Sequence, residues 1–220
     1  MWRTVLRVAP LLGIGVVLTT CFVFASNATR RLGTTPVSTY QMRSRSDPKK
    51  TYWKHIVVDS ADEAITTAGT MSARYDMYFA VLGLHERSVT NDDKTQVRVH
   101  ANMRSTKAYI FDIDAGEGKD YATQRDAVVA LMEWTRQTQL PIPTVVSSGG
   151  GLHVYWLMDA EVNAVDWKTY GLQLQQLADH HGLHTDRSCT KDPARVLRIP
   201  GTFNLKQVGN PRPVDIACDG

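Results

Sequence analysis

Two carboxylates stand two residues apart in Phe111-Asp112-Ile113-Asp114. The apolar run Tyr109-Ile110-Phe111 before them, and Ile113 between them, read as a strand. On a strand, residues i and i+2 share one face, about 7 Å apart. Two ionised carboxylates that close repel each other unless a cation lies between them. Oxygen-only ligands suit Mg²⁺ or Mn²⁺. The same spacing also fits a strand end whose alternate acids face water. A site is favoured by the position of the pair, at the C-terminal end of an apolar strand, where α/β sheets keep their ligands.

A second group lies in Ser147-Ser148-Gly149-Gly150-Gly151-Leu152-His153. Consecutive glycines let backbone N–H groups approach phosphate oxygens with no Cβ in the way. Ser148 adds a hydroxyl donor, and His153 a ring donor. The competing reading is a glycine-rich hairpin loop followed by a surface histidine. A third group spans Thr185–Lys206. There Asp186 and Asp192 each offer a carboxylate, and Arg195, Arg198 and Lys206 are fixed cations. Arg198 lies between Leu197 and Ile199 in what reads as a buried strand and turn, so its guanidinium needs an anion. A phosphate satisfies that need, and so does a salt bridge to one of the aspartates.

The elements that must position these groups alternate between strand and helix, which says α/β. Residues 26–52 are polar and basic and read as a long loop. A strand follows within 52–60, then a helix over 61–73 capped by Asp59 or Ser60, then a strand over 76–84. Residues 85–106 read as a polar loop with room for a short helix. The acidic strand covers 107–114. After a turn, an amphipathic helix over 123–139 opens with a capping box, Thr123 and Asp126. Its Ala127, Leu131 and Trp134 lie at helical spacing, and Pro141 and Pro143 end it. Residues 144–148 and 152–158 pair as a hairpin around the glycines. A second helix over 164–182 stops with Gly182 just beyond its end, and a last strand covers 213–217.

Composition is that of a globular protein: 43% apolar and 21% charged. The three cysteines, Cys21, Cys189 and Cys218, are far apart and odd in number. They give no disulfide framework and no zinc-binding CxxC pattern. The net charge of +3 is uneven, because residues 1–60 carry +7 and the remainder −4. A basic front and an acidic back suit a polyanion partner beside an acidic metal site. Near the N-terminus, residues 8–25 form an uncharged, mostly apolar run. It has the length of a signal or anchor segment. Its middle, residues 13–20, is rich in Gly and β-branched residues, as a buried strand would be.

In order and chemistry the three groups resemble the motifs of the archaeo-eukaryotic primase superfamily, most closely the primase-polymerase domains of phages and plasmids. Phe111–Asp114 is similar to its hydrophobic-Asp-hydrophobic-Asp motif. Ser147–Trp156 resembles its Ser-x-His motif on a glycine-rich hairpin. Asp186 followed by Arg195-Val196-Leu197-Arg198-Ile199-Pro200-Gly201 resembles its third motif. The likeness is clear over 107–206, looser over 53–84 and faint before that. It departs at Cys189, where a β-branched apolar residue is usual. It departs again at Gly151, where the family has serine, leaving the hydroxyl role to Ser148.

The resemblance implies one catalytic domain over 1–220. An N-terminal α/β subdomain (about 1–105) and an RRM-like catalytic subdomain (106–220) flank a central cleft. It implies a template-dependent nucleotidyltransferase that makes or extends primers on single-stranded DNA. Two Mg²⁺ or Mn²⁺ ions sit on Asp112, Asp114 and Asp186, with Asp192 the fallback for the third acid. His153 joins the catalytic set. Ser148, Gly149, Gly150, His153, Arg198, Asn204 and Lys206 hold the NTP or dNTP. Residues 26–54 with Lys94, Arg98 and Arg104 contact template backbone. Tyr52 and Trp53 stack on bases, whereas Tyr78 and Phe79 pack in the core. Glu117 and Lys119 receive no role. A helicase or another replication protein is the implied partner. No zinc and no membrane are expected, residues 13–20 are taken as a strand, and the expected location is cytoplasmic. The alternative is a non-catalytic nucleic-acid-binding replication initiation module of the same fold.

Overall fold

The computed structural model describes residues 38–44, 54–58, 60–91, 94–207 and 209–219. The apolar N-terminal run, and the template-facing expectations for Tyr52, Trp53 and most of the basic segment, lie outside these residues. In chain order the elements are β1 (Ser38–Ser44), β2 (His55–Val58), α1 (Ala61–Met71), β3 (Tyr75–Ala80), β4 (Val89–Asn91), β5 (Lys94–Gln96), β6 (Ser105–Asp114), α2 (Gln124–Thr138), β7 (Thr144–Ser147), β8 (Gly151–Asn163), α3 (Ala164–His180), α4 (Arg187–Lys191), β9 (Val196–Arg198), β10 (Thr202–Asn204) and β11 (Arg212–Cys218). No helix among them is long and apolar enough to cross a membrane.

The strands form a four-stranded sheet in the order β2-β1-β3-β9, a five-stranded sheet in the order β10-β11-β7-β8-β6, and the small β4-β5 ribbon. Every strand pair is antiparallel. Strand β8 lies between β6 and β7, so the β6-α2-β7 crossover is split by a hairpin return.

Two expectations for the N-terminal half are corrected. Residues 26–52 are not all loop, because β1 is a central strand that pairs with both β2 and β3. The polar stretch 85–106 contains the β4-β5 hairpin and only one 3₁₀ turn, His100–Asn102. Composition misled in both cases: a ladder made of backbone groups tolerates polar side chains wherever one face is open.

The five-stranded sheet separates two apolar clusters. Ala108 and Ile110 of β6, Val146 of β7 and Tyr155 of β8 join Leu82, Leu197 and Trp167 on one side. Phe111 and Ile113 of β6, Val145 of β7, and Leu152 and Val154 of β8 join Ala127, Leu131 and Trp134 of α2 on the other. This is the period-2 pattern of a strand covered on both faces. Burying Phe111 and Trp134 contributes about 2–3 kcal/mol each, and their rings meet edge to face with centroids 5.6 Å apart.

The helix termini follow the sequence signals. Thr123 and Asp126 close the capping box of α2. Ser60 caps α1 through Glu63 N. Gly182 follows the end of α3 at φ 71°. Leu183 N bonds Ala178 O there, and Gly182 N bonds Asp179 O, which is the Schellman pattern.

The chain does not stay in the half to which its order assigns it. Strand β9, inside the third motif, pairs with β3 of the four-stranded sheet, with Tyr78 opposite Arg198. The third motif thus stitches the two sheets together, and a cleft opens along the seam.

Candidate active site

Strand parity sets the floor of this cleft. Asp112 and Asp114 continue the row of Ala108 and Ile110 on β6. Across the ladder, Asp112 pairs with His153 and Asp114 with Gly151. The antiparallel register therefore brings the first two motifs together. Asp112 Oδ1 lies 4.0 Å from His153 Nε2.

Asp186 arrives from the third motif. Its backbone N–H donates to Asp112 O at 2.7 Å, and its side chain caps α4 by accepting from Ser188 N at 2.8 Å and Ser188 Oγ at 2.6 Å. Arg195 then reaches back. Its Nη2 is 2.5 Å from Asp186 Oδ2 and 3.5 Å from Asp112 Oδ2. On the far side, Lys119 Nζ meets Asp114 Oδ2 at 2.7 Å. Asp192, the alternative third acid, instead receives His100 Nε2 at 2.9 Å and the N–H of Ala194 at 3.0 Å.

The cleft is about 350 Å³ and is lined by Tyr78, Arg98, Asp112, His153, Asp192, Arg195, Val196, Leu197 and Arg198. Burial pushes the Asp112 carboxyl up to about 6. Arg195 opposes that rise, while the charges of Asp114 and Asp186 add to it. Asp186 goes the other way: burial would raise it, but bonds from Ser188 and the charge of Arg195 hold it below the usual carboxylate value. His153 is held down to about 3, first by burial and then by Arg198 and Arg195. It is therefore a neutral ring at pH 7, so its approach to Asp112 is not an ion pair.

Arg198 is presented by the other sheet. Its Nη2 donates to Tyr78 Oη at 2.9 Å, and its guanidinium carbon lies 5.0 Å from the Tyr78 ring centroid. Asp76, 1% exposed, stands 3.6 Å from Arg198 Nε and accepts from Leu205 N at 2.8 Å. Buried Arg98 Nε, Arg198 Nε and His153 Nδ1 have no hydrogen-bond partner among the described residues. Unmade bonds to buried charged donors are costly, so this wall is complementary to an anion.

Not every expected nucleotide ligand reaches the cleft. Asn204 is buried in β10 and donates to Ser148 O at 2.9 Å, while its own carbonyl accepts from Lys206 N. Ser148, Gly149, Gly150, Asn204 and Lys206 lie outside the lining of this cavity, as do Asp114 and Asp186. Two of the glycines, Gly149 and Gly151, have a packing cause. A Cβ on Gly151 would lie 2.2 Å from Ile113 O, so glycine is what lets β8 close on β6. Gly149 has φ 74°, and a Cβ there would lie 2.9 Å from Asn204 Cβ. It occupies the first position of a two-residue hairpin loop, where positive φ favours glycine.

Three polar cleft residues, Arg195, Arg98 and Tyr78, have no catalytic or nucleotide role in the sequence reading, and Tyr78, expected in the core, holds Arg198 at the cleft. Arg195 was visible as a fixed cation, but only its position between two motif carboxylates marks it. Arg98, expected on template backbone, lines the cleft.

The donor set fits a hard divalent ion in kind, since it is oxygen-only and Asp112 already feels the charge of two further carboxylates. As they stand, no three His, Cys, Asp or Glu side chains among the described residues form a ready metal cage. Arg195 and Lys119 lie among the acids instead.

No family model matches the sequence, and no curated protein matches it. Solved structures do match. The fold is first of all that of the archaeo-eukaryotic primase-type primase-polymerase domains. In particular, the chain is similar to the AEP domain of the cyanophage S-2L primase-polymerase, with a TM-score of 0.57 and 17% identity over 89% of this chain and 88% of that one. It is similar to the primase RepB′, with a TM-score of 0.51 and 15% identity over 89% of this chain and 55% of that one. It is also similar to the polymerase domain of Mycobacterium tuberculosis ligase D in complex with DNA, with a TM-score of 0.52 and 14% identity over 90% of this chain and 80% of that one.

Proposed function

We propose that the protein is a template-dependent nucleotidyltransferase that synthesises or extends primers on single-stranded DNA. One observation carries this proposal: Asp112, with Asp186 and Asp114 close beside it, shares one cleft with Arg98, Arg198 and His153, each of which keeps a buried nitrogen with no hydrogen bond among the described residues. Nucleotidyl transfer needs that division, with anions to hold metal and cations to hold the triphosphate. Asp112, Asp114 and Asp186 would hold Mg²⁺ or Mn²⁺, which supplies Lewis-acid stabilisation of the attacking and leaving oxygens.

The chain's own groups do the rest. Arg198, fixed by Tyr78 and Asp76, presents a preoriented guanidinium to a phosphate. Neutral His153 donates one ring N–H without adding charge. Arg98 adds a second guanidinium. The structural neighbours are named as primases and polymerases, one of them from a phage and one bound to DNA. Those names support DNA as template and the replication of a phage or plasmid-like element as the setting, with a helicase or similar replication protein as partner.

The test is incubation with primed and unprimed single-stranded DNA, Mn²⁺ or Mg²⁺, and labelled NTPs or dNTPs. Labelled polymer is expected, and it disappears in Asp112→Ala and in Asp114→Ala. Undiminished synthesis in either variant overturns the site. DNA binding with no synthesis under any condition leaves the non-catalytic replication module instead.

A further inference from the structure

Arg195 is placed unlike the other cations of the cleft. Arg98 and Arg198 each have a buried Nε with no hydrogen bond among the described residues. Arg195 is committed to the acids, at 2.5 Å from Asp186 and 3.5 Å from Asp112, with Ser188 Oγ at 3.5 Å from its second terminal nitrogen. Its guanidinium also lines the cleft beside Arg98 and Arg198.

We propose that Arg195 is a built-in counter-cation that holds the gap between Asp112 and Asp186 and is displaced towards the cleft when divalent metal loads. This rests on the proposed metal role of those carboxylates and goes beyond it. Without a cation, Asp112 at the end of its strand and Asp186 at the helix cap beside it would repel each other and destabilise the fold. Arg195 offsets that repulsion from inside the chain, while Lys119 serves Asp114. A divalent ion on the same oxygens makes the guanidinium redundant there and repels it. A displaced Arg195 then needs another anion, and the cleft it already lines is where a triphosphate would supply one. Metal and nucleotide loading thus become coupled through one side chain, and such coupling is reciprocal.

The experiment measures Mn²⁺ binding to the purified protein by electron paramagnetic resonance, with no nucleotide present, in wild type and Arg195→Gln. The variant is expected to bind Mn²⁺ about tenfold more tightly, within the usual range for coupled sites. Its metal-free Tm should fall below wild type, and saturating Mn²⁺ should close the gap. Unchanged or weaker Mn²⁺ affinity in the variant overturns the proposal. If neither protein binds Mn²⁺, the metal role of the carboxylates fails, and this inference with it. If binding is equal in the two, only this inference fails.

If Arg195→Gln does not fold, wild type decides. The Nε–H resonance of Arg195, assigned with Arg195→Lys, should shift during a Mg²⁺ titration with the midpoint of metal binding. A resonance that ignores saturating Mg²⁺ overturns the proposal.

Discussion

The two walls of the cleft are built on opposite principles. On the acidic wall each motif carboxylate has a cation at hand: Arg195 for Asp112 and Asp186, and Lys119 for Asp114. On the basic wall Arg98, Arg198 and His153 each keep a buried nitrogen with no partner among the described residues. The acidic wall comes from the five-stranded sheet and the α4 cap. The basic wall draws Arg198 from β9, which pairs with the four-stranded sheet. The difference teaches where the protein is complete and where it is not. Its acids are balanced by its own side chains, whereas its cleft cations, even Arg198 beside Asp76, keep hydrogen-bonding capacity unused.

That contrast can be broken from either side. The largest expected effect is Asp112→Ala, which removes the central carboxylate of the acidic wall. Primer extension should fall by roughly 10³-fold, the scale for losing a preorganised charge at a reacting centre. Single-turnover extension assays measure it.

Gly151→Ala attacks both walls at once, because the new Cβ would strike Ile113 O and force β8 off β6 beside the Asp112–His153 pair. We expect a loss of about 3 kcal/mol or more and a Tm drop of about 10 °C by calorimetry. An unchanged Tm would mean the two strands do not meet as described.

Arg198→Ala sharpens the contrast by touching only the basic wall. Nucleotide KM should rise about 10- to 100-fold, as for a lost hydrogen bond to a charged group, while kcat changes less. Equal loss in kcat and kcat/KM would assign Arg198 to the transition state alone. Tyr78→Phe removes only the hydroxyl that accepts from Arg198. A rise in KM of about 3- to 10-fold is expected, with thermal stability little changed.

A pH dependence tests the basic wall by titration. His153 is held near 3 in the fold, against about 6.5 in an unfolded chain. A depressed histidine contributes stability that is full above 6.5 and is lost as pH falls towards 3, because the unfolded state takes up the proton. Asp112, raised to about 6, acts with the opposite sign and gains stability as pH falls through 6. The His153 contribution must therefore be read as the difference between wild type and His153→Gln. That difference should be flat above pH 7 and should shift against wild type below 6.5. A difference that does not change with pH would mean His153 is not buried as a neutral ring.

Much of the half from β6 onwards was legible. Alternation along residues 107–114 placed Asp112 and Asp114 on one face. The Thr123–Asp126 box, the Gly182 stop and the glycine hairpin were each local, and each formed as local rules require. The N-terminal half was less legible, because β1 and the β4-β5 ribbon are made of polar residues whose strand character comes from their partners.

The chain by itself determined what short range can specify: which acids share a face, where helices start and stop, and that His153 follows a turn. The tertiary structure alone decided the choice of Asp186 over Asp192 beside Asp112. It also decided the crossing of β9 to the other sheet and the insertion of Arg195 among the acids. Those contacts join residues far apart in sequence, such as Asp112 with Arg195 and Tyr78 with Arg198, and no local periodicity encodes them. It also showed a packing need at Gly151, where a Cβ would meet the neighbouring strand, because a missing Cβ looks the same in sequence whatever fills the space.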